Sequence, residues 1–199
     1  MMEIVLATQN LHKIREFREI FKTLKFIDLL SLLNFPDYVP PEETEDTFEG
    51  NANLKAIHAA ATLGKWVIAD DSGLVVPALG GAPGVYSRRY AGLQASDKEN
   101  RAKLLKDMME LSQLQRSAFF QCTLSLASPK GLYKTVTGIV EGYILEAETG
   151  REGFGYDSLF QQHDSNKSFG EMSESVKNRI SHRRKAFDKM ALVLESIKE

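Results

Sequence analysis

Four acidic side chains stand in two pairs that could share a divalent cation. Glu42 and Glu43 lie in a Pro-rich, acidic stretch, and Asp70 and Asp71 directly follow the apolar run 66–69. Magnesium prefers oxygen ligands and is often held by one or two carboxylates, with water and phosphate oxygens completing the shell. Asp71 could instead, or in addition, draw a proton from an attacking water. The alternative without a metal ion is that Asp70 is a turn residue and the glutamates are solvated charges.

Thr8, Asn10 and Lys13 mark a second group, placed where a strand passes into a helix. Free backbone N–H groups and the positive end of the helix face a ligand at such a junction, and Lys13 adds a full charge. The pattern favours an anion such as a triphosphate. It is not a Walker loop, which needs a longer glycine-rich cradle before its lysine. A capped helix start with a solvated lysine would give the same pattern.

A third group is the run Gly153-Phe154-Gly155-Tyr156-Asp157. Glycines permit close approach of the backbone, and an aromatic ring on such a loop can stack on a base. The carboxylate of Asp157 could accept hydrogen bonds from a ribose or orient a basic neighbour. A tight turn that buries Phe154 is the alternative without a ligand.

The fourth group is Ser181, His182 and Arg183, with Lys177 shortly before it. The guanidinium of Arg183 offers five donors, which suit a carbonyl such as O6 of hypoxanthine or xanthine. The exocyclic amine of adenine would leave a buried donor unmatched, at a cost of about 1–3 kcal/mol. A serine cap followed by solvated basic residues remains the alternative.

Hydrophobic periodicity predicts the elements that carry these groups. Residues 3–7 indicate a strand, and apolar residues at helical spacing follow Lys13. The further predicted elements are a helix from Thr47 to about Gly64, a strand over 66–69 with a loop from Asp70, a strand over 74–79, a helix after the Ser96 capping box, a hairpin of 118–127 with 132–145, and a helix after Ser181. Cys122 alternates with core positions of the hairpin, which favours a buried thiol over a nucleophile.

Composition limits the class of protein. The 199 residues, 43% hydrophobic and 26% charged, suit one domain, 1–199, with two lobes. A formal net charge of −2 gives no general field for a nucleic acid, and a loop rim or subunit contact is the simpler account of Arg88 and Arg89. The lone Cys122 and the absence of an export signal over 1–7 predict a cytoplasmic protein. No apolar stretch approaches the roughly 20 residues that cross a bilayer, so no membrane partner is expected.

Together these motifs resemble the Ham1/RdgB-like inosine triphosphate pyrophosphatase family, in the right order over nearly the whole chain. The matching motifs are Thr8-x-Asn10-x-x-Lys13, Glu43, residues 51–56, residues 69–74, residues 80–87, residues 153–157 and Ser181-His182-Arg183.

The resemblance implies an α/β fold with an elongated mixed sheet flanked by helices, two lobes, an active site in the cleft between them, and a homodimer. It implies hydrolysis of dITP, ITP and XTP to the monophosphate and pyrophosphate, with Mg²⁺ as cofactor. Glu43 and Asp71 would hold the metal, and Asp71 would also be the base. The residues that the resemblance assigns to the substrate are Thr8, Asn10, Lys13 and Lys55 for the phosphates, Ser72, and Phe154, Gly155, Tyr156, Asp157, Lys177, His182 and Arg183 for the nucleoside.

The chain departs from the family pattern at Gln9, where glycine or serine is usual, and at Ser158, where proline commonly follows the aspartate. Gln9 puts phosphate affinity in question more than reaction type. Two other functions fit the residues less completely. One is a Maf-like pyrophosphatase that acts on pyrimidine or modified nucleotides, and the other is a regulator that binds nucleotide or RNA without turnover.

Overall fold

The computed structural model describes residues 1–198, which form a mixed six-stranded sheet and five α-helices. The strands are β1 (Met2–Leu6), β2 (Ile27–Ser31), β3 (Trp66–Val75), β4 (Ser117–Ser128), β5 (Gly131–Ile144) and β6 (Phe160–Gln162). The helices are α1 (Leu11–Phe21), α2 (Phe48–Leu63), α3 (Asp97–Asp107), α4 (Glu174–Ile180) and α5 (His182–Ser196). The strand order is β2-β1-β3-β4-β5-β6, with β1 parallel to both its neighbours and β5 antiparallel to β6. The predicted α/β class with a mixed sheet is confirmed.

Local capping sets the helix ends that the sequence predicts. The Thr47 hydroxyl accepts a hydrogen bond from Gly50 N at 3.0 Å and begins α2, which ends at Gly64 in the left-handed conformation with φ 64°. Ser96 and Glu99 form the predicted capping box of α3. These motifs satisfy backbone groups that a helix leaves open at its ends, so residues adjacent in sequence suffice to specify them.

The chain divides into two compact units. The first contains Met1–Asp71, Cys122–Gly138 and the chain from Arg183 onward, and the second contains Ser72–Gln121 and Ile139–His182. That the two units form a single domain stays a prediction. Within residues 1–198, no helix combines the length and the apolar character needed to cross a membrane.

Two hydrophobic cores fill the first unit, one on each face of β3. Ile68 belongs to the core that contains side chains of α1 and α5. Val67 and Ala69 belong to the core beneath the alanines of α2. This division follows from the strand itself, because successive side chains of a strand point to opposite faces. The second unit has a separate core, around the aromatic rings of Phe120, Phe160 and Phe169.

The prediction of a loop that begins at Asp70 is wrong, and so is the separate strand over 74–79. Strand β3 runs without a break from Trp66 to Val75, and Pro77–Leu79 forms a short 3-10 turn. Both aspartates are buried within the strand and each has a cationic partner, Lys13 for Asp70 and Lys55 for Asp71, which offsets part of the cost of burial. Helix α4 and strand β6 carry no strong periodic signal and were not predicted.

Candidate functional site

Lys55 holds two of the predicted metal ligands together in the first unit. Its ammonium lies 2.8 Å from Glu43 Oε1 and 3.0 Å from Asp71 Oδ1. The same Nζ donates a hydrogen bond to the backbone oxygen of Asp70 at 2.8 Å. Burial alone would lower the pKa of Lys55, but Asp71 and Glu43 outweigh it and raise that pKa above 10.5. The two carboxylates therefore flank one ammonium group, and that they hold a metal ion stays a prediction.

The carboxylates have the chemistry of a magnesium site with few protein ligands. Asp71 is 7% exposed, and no partner among residues 1–198 lies within hydrogen-bond distance of its buried Oδ2. A buried carboxylate oxygen without a donor is costly unless a ligand completes it. The described residues hold no cluster of three or more His, Cys, Asp or Glu side chains that would bind a metal ion by themselves. Magnesium needs only one or two carboxylates, so Glu43 and Asp71 fit it.

Glu42 and Asp70, the other two acidic candidates, differ from these ligands. Glu42 is exposed, whereas Asp70 is 1% exposed and ion-paired to Lys13. Burial would raise the pKa of Asp70, but Lys13 and Arg183 prevail and hold that pKa well below 3.8. Cys122 Sγ donates to Asp70 Oδ1 at 3.0 Å. Asp70 is thus a buried counter-ion, while one buried oxygen of Asp71 has no hydrogen-bond partner among residues 1–198.

Cys122 is buried, as its alternation in the hairpin predicted. Burial and the nearby Asp70 raise the pKa of its thiol well above 9.0. A thiol with a raised pKa is a poor nucleophile at neutral pH, because the thiolate is the reactive form.

Glu16 was missed by the sequence reasoning. It is 4% exposed, and its Oε2 accepts a hydrogen bond from Arg183 Nη1 at 2.7 Å. The Nε atom of Arg183 lies 4.0 Å from Asp70 Oδ2, so the guanidinium stands between two carboxylates. The spacing of Glu16 three residues after Lys13, on one face of α1, was the available signal. The predicted contact of Arg183 with a base carbonyl stays a prediction.

Lys55 was found only through the family resemblance, although the sequence carries a signal for it. It lies among the buried small residues of α2, three and four positions from Ala52 and Ala59. A lysine on an apolar helix face is rarely buried unless it is paired. That placement alone points to acidic partners elsewhere in the chain.

Asn10 caps α1, which agrees with the interpretation of the strand-helix junction as a capped helix start. Its Oδ1 accepts hydrogen bonds from His12 N at 2.9 Å and Lys13 N at 3.3 Å. Asn10 N in turn donates to Thr8 Oγ1 at 3.1 Å. The Lys13 side chain keeps 17% exposure beside Asp70, so a charged group remains reachable at the first turn. Phosphate binding by these residues stays a prediction.

In the second unit, Asp157 organises the predicted nucleoside loop. Its Oδ2 accepts hydrogen bonds from Lys177 Nζ at 2.5 Å and from Phe154 N at 2.9 Å. The Lys177 ammonium lies 4.8 Å from the centroid of the Phe154 ring. A β-carbon at Gly153, where φ is 76°, would meet Asp157 Oδ2 at 2.1 Å. The sequence suggested that Asp157 either binds a ribose or orients a basic neighbour. The structure shows the second, because Asp157 binds the Lys177 ammonium.

Other predicted nucleoside contacts have partners inside the second unit. Tyr156 is 4% exposed, and its hydroxyl donates to Ser87 O at 2.8 Å. His182 stacks on Phe120 with ring centroids 4.8 Å apart and planes 11° apart. Ser72, half-buried, lies within β3 rather than in a loop. Their contacts with a substrate stay predictions.

Comparison with known proteins settles the family. The profile of the Ham1 family matches residues 4–193, which is nearly the whole chain. The chain belongs to the Ham1 family. A relative from Protochlamydia amoebophila (strain UWE25), named dITP/XTP pyrophosphatase, is 57% identical over 199 residues, and the match covers 100% of both chains.

Solved Ham1 structures agree with the fold described above. The Ham1 protein of Staphylococcus aureus has a TM-score of 0.86 and 42% identity, over 98% of each chain. The HAM1 protein of Coxiella burnetii has a TM-score of 0.88 and 38% identity, over 98% of this chain and 100% of its own. The Ham1 resemblance of the motifs is thus confirmed at the level of family and fold.

Proposed function

We propose that this chain hydrolyses non-canonical purine nucleoside triphosphates, namely dITP, ITP and XTP, to the nucleoside monophosphate and pyrophosphate, with Mg²⁺ as cofactor. A relative 57% identical over the full length bears the name dITP/XTP pyrophosphatase. Such an activity clears deaminated purines from the nucleotide pool.

One observation carries the proposal: the buried Asp71 Oδ2 has no hydrogen-bond partner among residues 1–198, while Asp71 Oδ1 and Glu43 share the Lys55 ammonium. Two carboxylates beside a lysine form a site of mixed charge. Such a site attracts a divalent cation together with the anionic phosphates that accompany it. A purely structural ion pair would give no reason for a buried carboxylate oxygen without a hydrogen-bond partner.

The chain's own residues supply binding, orientation and proton transfer. Lys13 and Lys55 bind the phosphates and offset their negative charge. Water attacks the α-phosphorus, the bond between that phosphorus and the bridging oxygen breaks, and pyrophosphate leaves. Asp71 accepts the proton that the water loses, through the carboxylate oxygen that does not hold the metal. Magnesium, when bound by Glu43 and Asp71, supplies further neutralisation of the phosphate charge.

Recognition of the base falls to the loop 153–157 and to Arg183. The Phe154 ring offers a face for stacking, and Lys177 is oriented by Asp157 at 2.5 Å. A guanidinium donates hydrogen bonds but accepts none, so Arg183 favours a 6-oxo purine over adenine. The unmatched donor that adenine would leave accounts for selectivity between the two bases.

The test is incubation with a panel of nucleotides followed by chromatographic separation of the products. The panel contains ITP, dITP, XTP, ATP, GTP, dTTP and UTP, each with MgCl₂ and again with excess EDTA. We expect monophosphate and pyrophosphate from the first three, and no turnover with EDTA. Turnover confined to dTTP or UTP would indicate a Maf-like enzyme, and binding without any product would indicate a regulator. Either result would contradict the proposal.

Thermal unfolding gives a second readout of the metal site that does not depend on turnover. A ligand that binds only the folded state at 100 times its Kd adds about 2.7 kcal/mol to the free energy of unfolding. We expect MgCl₂ to raise the Tm of the unsubstituted protein and to leave the Tm of the Glu43→Gln variant unchanged. An equal rise of the Tm in the two proteins would show that Glu43 is not a metal ligand.

Two further parts of the proposal concern the assembly and the cellular location. The family resemblance supports a homodimer, which light scattering coupled to size-exclusion chromatography will test. A location in the reducing cytoplasm is supported by Cys122, a single buried cysteine that cannot form an intrachain disulfide. Fractionation of cells that express the protein tests the location.

A further inference from the structure

Two side chains of α3 hold the backbone of Gly155 from both sides. Asp97 Oδ2 accepts a hydrogen bond from Gly155 N at 2.7 Å, and Arg101 Nη1 donates to Gly155 O at 2.9 Å. Asp97 and Arg101 are four residues apart, a spacing that places both on one face of the helix. All three residues belong to the second unit.

Asp97 and Arg101 together are called the α3 clamp below. The clamp is connected to Ser158 through Glu148. Arg101 Nε lies 2.9 Å from Glu148 Oε2, and the Ser158 hydroxyl donates to the same oxygen at 3.1 Å. Ser158 stands where the family pattern commonly has proline, which lacks both the hydroxyl and the N–H group. In this chain Ser158, which directly follows the loop, therefore makes a hydrogen bond to Glu148 that a proline could not make, and Glu148 in turn is ion-paired with Arg101.

The clamp acts on the two peptide planes that follow Phe154. Asp97 binds the peptide that joins Phe154 to Gly155, and Arg101 binds the peptide that joins Gly155 to Tyr156. Gly153 and Gly155 both have positive φ, at 76° and 58°, and glycine loses more conformational freedom on folding than any other residue. In such a loop the bonds from α3 add to the internal hydrogen bond from Phe154 N to Asp157 Oδ2 in favouring one conformation. Fixing these planes fixes the backbone from which the Phe154 ring projects.

We propose that Asp97 and Arg101 are positioning residues for base recognition: they hold the loop 153–157 in the conformation that presents Phe154 to the purine. The inference rests on the proposed function, because it assigns that loop to the nucleoside. Neither residue belongs to the Glu43–Lys55–Asp71 group where the phosphate chemistry is placed. Loss of the clamp therefore weakens binding of the nucleotide and leaves the chemical step intact.

The test compares Asp97→Ala with Asp97→Asn, and Arg101→Gln with Lys98→Gln. Asparagine keeps an oxygen that accepts from Gly155 N, so it should retain the KM for ITP of the unsubstituted protein. Lys98 is an exposed neighbour on α3 and controls for loss of one positive charge. We expect KM for ITP to rise about tenfold in Asp97→Ala and in Arg101→Gln, the loss of one hydrogen bond to a charged group, with kcat within about twofold.

Two further measurements keep the inference open to refutation. Hydrogen–deuterium exchange over 153–157 should accelerate in Asp97→Ala and Arg101→Gln but not in Lys98→Gln. Ser158→Ala, a milder change for use if Arg101→Gln does not fold, should raise KM by about two- to threefold.

A fall in kcat at constant KM, or a KM unchanged in both clamp variants, would overturn the inference and leave the proposed function standing. An unsubstituted protein that does not convert ITP would overturn both.

Discussion

Replacing Asp71 by asparagine is expected to abolish turnover without destabilising the fold. The amide has nearly the same shape and keeps an oxygen that can accept from Lys55, 3.0 Å away. It lacks the negative charge for the metal and the basicity for the attacking water. A metal site supplies several kcal/mol of transition-state stabilisation, and about 4 kcal/mol corresponds to roughly 10³-fold in kcat.

The same change is expected to abolish turnover without lowering the free energy of unfolding. Burial raises the pKa of Asp71 above 3.8, although Lys55 and Lys13 act against it. A carboxyl with a raised folded-state pKa loses its proton less readily in the folded than in the unfolded chain. Its ionisation therefore lowers the free energy of unfolding as the pH rises above about 3.8. A neutral amide avoids that cost but also removes one of the two carboxylates that raise the pKa of Lys55, so Asp71→Asn should have about the stability of the unsubstituted protein at pH 7.

The assay measures initial rates of pyrophosphate release from ITP with MgCl₂, and the Tm of the same preparations. Asp28→Asn is the matched control, because Asp28 is an exposed carboxylate on β2. We expect the control to change neither quantity. If Asp71→Asn kept more than about a tenth of the activity, Asp71 would be neither the base nor an essential ligand. A marked fall in its Tm would show that its charge serves the fold instead.

Three other changes probe groups that the structure places with clear geometry. Asp70→Asn should cost about 3–5 kcal/mol in urea unfolding, because it removes the carboxylate that pairs with the half-buried Lys13 and faces the buried Arg183. The low pKa of Asp70 means that this contribution is present above about pH 3.8 and fades as the pH falls below it. Cys122, buried and with its thiol pKa raised well above 9.0, should resist iodoacetamide at pH 8 in the folded protein and react fully in urea. Gly153→Ala should raise KM for ITP and lower the Tm, because the added β-carbon would meet Asp157 Oδ2 at 2.1 Å. Gly131→Ala is the control: Gly131 also has a positive φ but has open space around it, so KM should stay unchanged.

The sequence specifies most clearly the features that depend on neighbouring residues. The Thr47 cap and the Gly64 stop of α2 were predicted to within one residue, because both depend on hydrogen bonds within a single turn. The alternation around Cys122 likewise predicted a buried strand. In contrast, the end of β3 was misplaced because Asp70 looks like a turn residue until its partners from other elements are known.

The site required pairings that periodicity does not encode. The Lys55–Asp71 pair spans 16 residues, and the Arg183–Glu16 pair spans 167. Charge type and spacing pointed to four carboxylates, and the family resemblance singled out Glu43 and Asp71 as ligands. Only the fold shows that one ammonium touches both. The same applies to the α3 clamp, since nothing in the run Asp97 to Arg101 indicates that it faces Gly155.

The different environments of Asp70 and Asp71 follow from the continuity of β3. Adjacent residues of a strand point to opposite faces, so Asp70 shares the face of Ile68 and Asp71 shares the face of Ala69. On the first face the carboxylate meets Lys13 and becomes a buried counter-ion. On the other the carboxylate of Asp71 is ion-paired with the Lys55 ammonium, and one of its oxygens is left without a donor among residues 1–198. A loop at this point, as the sequence suggested, would let either carboxylate turn to either face. The strand removes that choice, and a shift of one residue in its register would exchange the two roles.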